Sequence, residues 1–254
     1  MQSRPADGIV KCMGTAWRTH RVAGLFVLFS TTLAGCNDST TPLQEKQKPA
    51  EVKRIPADKN GNVILEMQGD RRRVLIQAEV CLREGQLEQL LCKKPSKEHE
   101  AILTADVDAR VVHLALETAG AKAGRPVKYD PVYEPATGSR VRITLQYEQR
   151  GRKVTVPAQD WILNAKTKKN LATDWVFAGS QLVPNLDDKT KPPIYLANSG
   201  DIICVSNFPS AMLDLPVASP EKNADLVFVA HTERIPALDT KVLVILEPIP
   251  DVKK

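Results

Sequence analysis

The feature that most constrains the fold is a strict alternation of apolar and polar residues in the middle of the chain. Between Val141 and Glu148, every second residue is apolar and the residues between them are polar. Because the side chains of a strand point alternately to opposite faces, this pattern predicts a strand with one buried face. A turn at 149–152 leads into 153–158, where Val154 and Val156 continue the alternation. The two segments therefore predict an antiparallel hairpin.

Other segments also favour strands. Residues 194–197 and 202–205 are mainly apolar and flank Asn198-Ser199-Gly200-Asp201, a turn-forming run that predicts a second hairpin. Residues 226–229 and 242–246 are apolar at successive positions, which is typical of strands buried on both faces.

One principal helix is predicted over about 106–119, with Gly120 suited to follow its C-terminus. The residues expected on its apolar face are Val107, Val111, Leu114, Ala115 and Thr118. A short second helix is predicted near 219–224, with Ser219 as its N-cap. The expected class is α+β: a strand-rich, mostly antiparallel sheet with one principal helix packed on it.

The N-terminal region resembles a bacterial lipoprotein signal. A basic stretch with Arg18 and Arg21 precedes an apolar run from Val22 to Leu33, which ends in Leu33-Ala34-Gly35-Cys36. That run is too short to span a bilayer of roughly 30 Å as a helix. The resemblance implies that residues 1–35 are removed and that Cys36 is acylated, by palmitate among other chains. The protein would then be anchored in the bilayer and face the periplasm or the cell exterior. Either Met1 or Met13 serves as the start, and the sequence does not choose between inner and outer membrane.

The rest of the chain divides into a tether and one domain. Residues 36–61 are polar and lack aromatic side chains, which predicts a flexible, lipid-anchored tether. Residues 62–250 have the length of a single domain. The leader carries four basic residues and one acidic residue, so its removal lowers the formal net charge from +5 to +2. A nucleic-acid partner is not expected at this charge.

Several segments in one order resemble the YdjY-type domain family of exported bacterial proteins and lipoproteins. They are 81–85, 91–92 and 97–100, then 156–161, 174–180, 200–208 and 213–216. The resemblance covers nearly all of residues 62–248. It implies a domain boundary, and it carries no catalytic or ligand residue over to this chain.

Cys81 and Cys92 form a candidate disulfide, because exported proteins meet oxidising conditions. If 85–88 are a four-residue hairpin loop, the two cysteines lie directly opposite each other within bridging distance. The alternative is that the leucines of 87–91 lie on one helical turn, which would spoil this register. Cys204 lies in an apolar run and is interpreted as a buried, inert thiol.

Alternatively, these cysteines could bind a metal ion. Cys81, Cys92 and His99 could supply three ligands, with Glu98, Glu100 or Cys204 as the fourth. The close C-x₂-C pairs of zinc and iron–sulfur sites are missing from the sequence. We therefore expect no metal and no cofactor.

Two functional hypotheses follow. The first is a membrane-anchored, non-enzymatic binding or structural module of the cell envelope, with an envelope protein or cell-wall component as its partner. The alternative is a thiol- or metal-dependent redox protein or hydrolase that uses Cys81, Cys92 and His99. No catalytic residue is assigned from the sequence.

Overall fold

The alternating segment in the middle of the chain forms the hairpin that its sequence predicts. In the computed structural model, which describes residues 50–218 and 227–250, strand Arg140–Gln149 pairs antiparallel with strand Arg152–Pro157. The apolar side chains of the first strand are buried at every second position. The predicted hairpin and its buried face are therefore confirmed.

Strands dominate the described residues. In chain order they are β1 (Val52–Pro56), β2 (Val63–Gln68), β3 (Arg71–Val80), β4 (Gln89–Lys93), β5 (Ala101–Ala105), β6 (Arg140–Gln149), β7 (Arg152–Pro157), β8 (Ile162–Asn164), β9 (Trp175–Phe177), β10 (Leu182–Val183), β11 (Ile194–Tyr195), β12 (Ile203–Cys204), β13 (Leu213–Asp214), β14 (Phe228–Ala230) and β15 (Lys241–Pro248). The α-helix α1 is Ala109–Thr118, and short 3-10 turns form at Ala158–Trp161 and Leu196–Ser199.

Eight strands close on themselves into a barrel. Their order is β3-β15-β6-β9-β13-β12-β4-β5, and β5 pairs back onto β3 through Glu79 opposite Thr104 and Val80 opposite Leu103. Neighbours are antiparallel except for β4–β5 and β12–β13, which are parallel. Strands β1 and β2 extend the sheet beside β3, and β7 extends it beside β6.

The predicted α+β class is wrong, because the domain is mostly β. Strands make up 40% of the described chain and helices 9%. The local patterns predicted a sheet covered by a helix, whereas the sheet covers most of its own apolar face by closing. Closure depends on pairing between distant segments, such as β3 with β15. No local period of the sequence encodes that pairing.

Helix α1 lies within the predicted segment but buries a different face. Asp108 caps it by accepting a hydrogen bond from the Arg110 backbone N–H at 2.9 Å. Its buried residues are Ala109, Val112, Ala115 and Leu116. Leu114, expected on the apolar face, is 61% exposed, since the helix packs against β2 and β3 through the neighbouring stripe. Gly120 follows the helix with a positive φ of 98°.

Within the described ranges, no helix is both long enough and apolar enough to cross a membrane.

Other segments depart from the sequence predictions. β1 forms inside the segment predicted as a tether, and it pairs with β2. The second predicted hairpin is wrong: β11 pairs with β10, whereas β12 pairs with β4 and β13. β15 is largely buried between β3 and β6, as predicted, but Phe228 and Val229 of β14 are only half-buried.

The predicted leader 1–35, Cys36 and the helix near 219–224 lie outside the described residues.

The barrel interior is filled by side chains. Trp161, Trp175 and Phe177 are almost fully buried in one continuous apolar core that joins all eight barrel strands. Small barrels of this strand number are just wide enough for side chains to fill them. A ligand would therefore have to bind in the wall or on the outside.

Candidate functional site

A group of buried polar side chains interrupts the barrel wall at β4, β12 and β13. Three of its atoms, Gln89 Oε1, Ser206 Oγ and Asp214 Oδ2, have no hydrogen-bond partner in the described part of the chain. All three residues are fully buried. Native proteins leave few buried polar atoms unpaired, so their concentration on adjacent strands marks this region as the candidate site.

The turn between β4 and β5 places Lys97 at one edge of this region. The Lys97 ammonium lies 3.0 Å from Asp201 Oδ1, 3.5 Å from Glu88 Oε2 and 3.9 Å from Glu100 Oε1. It also lies 4.7 Å from the centroid of the Phe208 ring, within cation–π range. We call Lys97, Glu88, Glu100 and Asp201 the lysine cluster. It joins one ammonium group to three carboxyl groups.

Both oxygens of the Asp201 carboxyl group accept hydrogen bonds. Gln89 Nε2 donates to Oδ1 at 3.0 Å, while the hydroxyls of Ser210 and Ser199 donate to Oδ2 at 2.5 Å and 3.3 Å. Gly200 precedes it with φ +134°, and a Cβ there would lie 2.7 Å from Ser96 Oγ. Glycine therefore lets the Asp201 loop approach the Lys97 turn closely.

Burial and neighbouring charges shift the pKa values in the lysine cluster. Burial and the adjacent Glu100 carboxyl raise the pKa of Glu88 to about 7. Burial alone would lower the pKa of Lys97, but the Asp201 and Glu88 carboxyl groups together outweigh it and raise that pKa. The cluster thus holds a lysine ion pair beside a carboxyl group that exchanges its proton near neutral pH.

A second buried pair lies next to the lysine cluster. Asn207 Nδ2 donates to Asp214 Oδ1 and to the Leu215 carbonyl, each at 3.0 Å. Burial raises the pKa of Asp214 to about 7. The Tyr129 hydroxyl donates to the Asn207 carbonyl at 2.9 Å, and the Tyr133 hydroxyl contacts Asn207 Oδ1 at 3.3 Å. The loop that carries both tyrosines is therefore fastened over this pair.

Cys81 and Cys92 come together, although not through the hairpin that their spacing suggested. Cys81 follows β3 and Cys92 lies on β4, and β5 pairs with both strands. Both are free thiols, and Cys81 Sγ donates to the Ala101 carbonyl at 3.1 Å. The neighbouring Cys92 raises the pKa of Cys81, and Cys81 in turn lowers the pKa of Cys92. The disulfide stays a prediction.

The structure does not complete the alternative metal site. The side chain of His99 is 77% exposed, and its Nε2 lies 3.9 Å from Glu100 Oε1. Among residues 50–218 and 227–250, no three His, Cys, Asp or Glu side chains converge as metal ligands do. Cys204 is fully buried beside Asp201 and Asp214, and burial raises its pKa, as suits an inert thiol.

Sequence reasoning missed the lysine cluster and Asp214. In the sequence, Asp201 belongs to a predicted turn and to a segment typical of the family, and Lys97 and Asp214 belong to further such segments. The available signal was the polar pair Ser206-Asn207 directly after the apolar run 202–205. Polar residues that continue a buried strand need internal partners, and those partners lie far away in sequence.

The fold and the site define a mostly β domain with a closed, filled barrel and a polar cluster in its wall. The model of the YdjY domain matches residues 65–247, and the chain therefore belongs to the YdjY domain family. The family assignment inferred from the sequence segments is thereby confirmed. Comparison with curated proteins and with solved structures found no match.

Proposed function

We propose that the protein is a membrane-anchored lipoprotein whose barrel domain is a non-enzymatic binding module of the cell envelope. The observation that carries the anchor is Leu33-Ala34-Gly35-Cys36 at the end of a short apolar run. Acylation of Cys36 would hold the domain at the bilayer on the periplasmic or outer face. Its partner is an envelope protein or a cell-wall component.

The binding role is supported by where the domain leaves room for a partner. The interior is occupied by the apolar core, so a partner has to engage the outer surface. Tyr129 and Tyr133 fasten their loop to Asn207, and Val132 at the tip between them is 68% exposed. A fastened loop with an apolar tip presents a rigid contact to a partner at low entropic cost.

Metabolic labelling with an alkyne-tagged fatty acid tests the anchor. The full-length chain should incorporate the label and partition with membranes, and Cys36→Ala should lose both properties. Cys12→Ala, in the part of the chain predicted to be removed, is the matched control and should be labelled normally. Equal labelling of the wild type and Cys36→Ala would refute the anchor.

Site-specific photocrosslinking tests the binding surface. A photoreactive amino acid at Val132 should capture one reproducible envelope component in cells. The same amino acid at Lys153, an exposed position on β7, is the control and should not capture it. Identical products at both positions, or none at Val132, would count against the loop as a binding surface.

The contact between Cys81 and Cys92 favours a second candidate function, that of a thiol redox protein. Oxidation would join the two sulfurs and pass two electrons and two protons to a disulfide oxidant such as glutathione disulfide. Equilibration in glutathione buffers, followed by alkylation and mass spectrometry, measures the midpoint potential. A potential within the range of exchange catalysts favours this role, whereas a bond that resists reduction assigns the pair to stability.

A further inference from the structure

We infer that Lys97 and Asp201 form an intramolecular isopeptide bond, so that the mature domain is cross-linked between the β4–β5 turn and the loop before β12. The reacting groups already touch: Lys97 Nζ lies 3.0 Å from Asp201 Oδ1. A fixed contact of this kind raises the effective concentration of the amine beside the carboxyl group. The inference is independent of the proposed binding role.

The carboxyl group of Asp201 is arranged as an electrophile. It is 3% exposed, and it accepts hydrogen bonds from Gln89 Nε2 and from the Ser199 and Ser210 hydroxyls. Donors on both oxygens draw electron density away from the carboxyl carbon. They also stabilise the negative charge that develops on oxygen when a nucleophile adds to that carbon.

Glu88 is placed to move the protons. Its Oε2 lies 3.5 Å from Lys97 Nζ, and its pKa of about 7 lets it both accept and donate a proton. Phe208 covers the ammonium group at 4.7 Å, so solvent reaches the amine only in part. An amine, a polarised carboxyl and a proton-transfer carboxyl therefore share one partly dry site.

The reaction balances without a co-reactant. Against the preference of the ion pair, which raises the pKa of Lys97, the ammonium group first has to give a proton to Asp201, which leaves a neutral amine and a carboxylic acid. The amine lone pair then attacks the Asp201 carboxyl carbon, and the Nζ–Cγ bond forms. Glu88 takes a proton from the nitrogen and gives a proton to the departing hydroxyl, so the C–O bond breaks and water leaves. One ammonium and one carboxylate thus become one amide and one water.

Burial favours the amide over the ion pair. Two charges in a poorly solvated site carry a desolvation penalty that a neutral group does not. A neutral amide in the same place needs only its hydrogen bonds, and the Ser199 and Ser210 hydroxyls already donate to Oδ2, the oxygen that would remain as the amide carbonyl. Cross-linking therefore lowers the desolvation free energy of the lysine cluster.

Tryptic peptide mapping of the full-length protein by mass spectrometry tests the inference. The expected product is residues 94–110 joined to residues 190–222, lighter than the two peptides together by about 18 Da, the mass of the water lost. Cleavage after Lys97 should be blocked. If the wild type instead yields separate 98–110 and 190–222 peptides in full amount, the cross-link does not exist. A bond from Lys97 to Glu88 or Glu100 would overturn the assignment of Asp201.

Three variants separate chemistry from folding. Lys97→Arg keeps the positive charge but should abolish the cross-linked peptide, and its midpoint of thermal unfolding should fall by on the order of 10 °C. Glu88→Gln should greatly reduce the cross-linked fraction, and full cross-linking in this variant would overturn the role of Glu88. Glu98→Gln is the matched control, because Glu98 bonds Ser96 and Thr104 in the same turn. It should cross-link like the wild type.

Discussion

Asn207 and Asp214 form a buried pair inside the barrel wall, with Asn207 Nδ2 donating to Asp214 Oδ1 at 3.0 Å. Both side chains are fully buried, and the Leu215 backbone N–H donates to the same oxygen at 2.8 Å. The other oxygen of Asp214 has no hydrogen-bond partner among the described residues. The site therefore suits a carboxylic acid better than a carboxylate.

This pair predicts that folding stability falls between about pH 4 and pH 7. An unfolded aspartate has a pKa of about 4, whereas burial raises that of Asp214 in the folded protein to about 7. Between these values the folded state binds more protons, so the contribution of Asp214 is complete below pH 4 and is lost as the pH rises through 7. Urea unfolding at a series of pH values measures the slope.

Asp214→Asn isolates this contribution from that of Glu88, whose pKa is shifted in the same direction. The amide imitates the protonated acid, so the variant should lose stability less steeply than the wild type. The difference is roughly 1.4 kcal/mol per pH unit between pH 4 and 7. Parallel stability curves would show that Asp214 does not titrate in this range.

The buried Glu66 carboxylate should make the free energy of unfolding change with pH in the opposite direction. Its side chain is 1% exposed and contacts Arg54 on β1 and Arg73 on β3. Burial would raise its pKa, but the two arginine hydrogen bonds lower it overall. Its contribution is therefore present above the unfolded pKa of about 4.3 and is lost as the pH falls through the lower folded value.

Glu66→Gln should reduce the free energy of unfolding at pH 7 by about 1–3 kcal/mol, because one buried charge partner is removed from two arginines. Glu247→Gln is the matched control, since Glu247 pairs with the half-exposed Arg71. That variant should lose less than about 1 kcal/mol. Denaturant unfolding of both variants measures these losses, and equal losses of unfolding free energy would contradict the special role of Glu66.

The thiol pair predicts selective oxidation. In the presence of an oxidant, Cys81 and Cys92 should form a disulfide that raises the unfolding midpoint by on the order of 5–10 °C. Buried Cys204 should resist alkylation until the protein unfolds. Cys92→Ala should abolish the difference between oxidised and reduced protein. Cys204→Ala, the control, should keep it, and an unchanged midpoint in oxidised wild type would contradict the prediction.

Replacing Gly138 by a residue with a side chain should destabilise the fold through the backbone. It has φ +135°, and a Cβ at this position would lie 2.0 Å from the Phe177 carbonyl oxygen. Gly138→Ala should therefore cost roughly 3 kcal/mol or more, through both strain and a clash with backbone. Gly151→Ala is the control, because Gly151 also has positive φ but open space around it. Calorimetry should show a clearly smaller loss there, about 1 kcal/mol.

Local patterns predicted the local elements well. The alternation over 141–148 produced β6 and its hairpin with β7, because a period of two needs only one buried face to be satisfied. The spacing over 106–119 located the helix, but its buried face was misassigned at Leu114. Which side of a helix is buried depends on the neighbours, and these are β2 and β3, which precede it by many residues.

The sequence by itself determined the hairpin of β6 and β7, the buried strand β15 and the position of the helix, since each depends on residues close together in the chain, and its segments also identified the YdjY domain family. Only the tertiary structure decided the closed barrel and the meeting of Lys97 with Asp201. The physical reason is that closure is set by hydrogen bonds between β3 and β5 and between β4 and β12. Burial then forces the polar side chains of those segments to find partners across the wall.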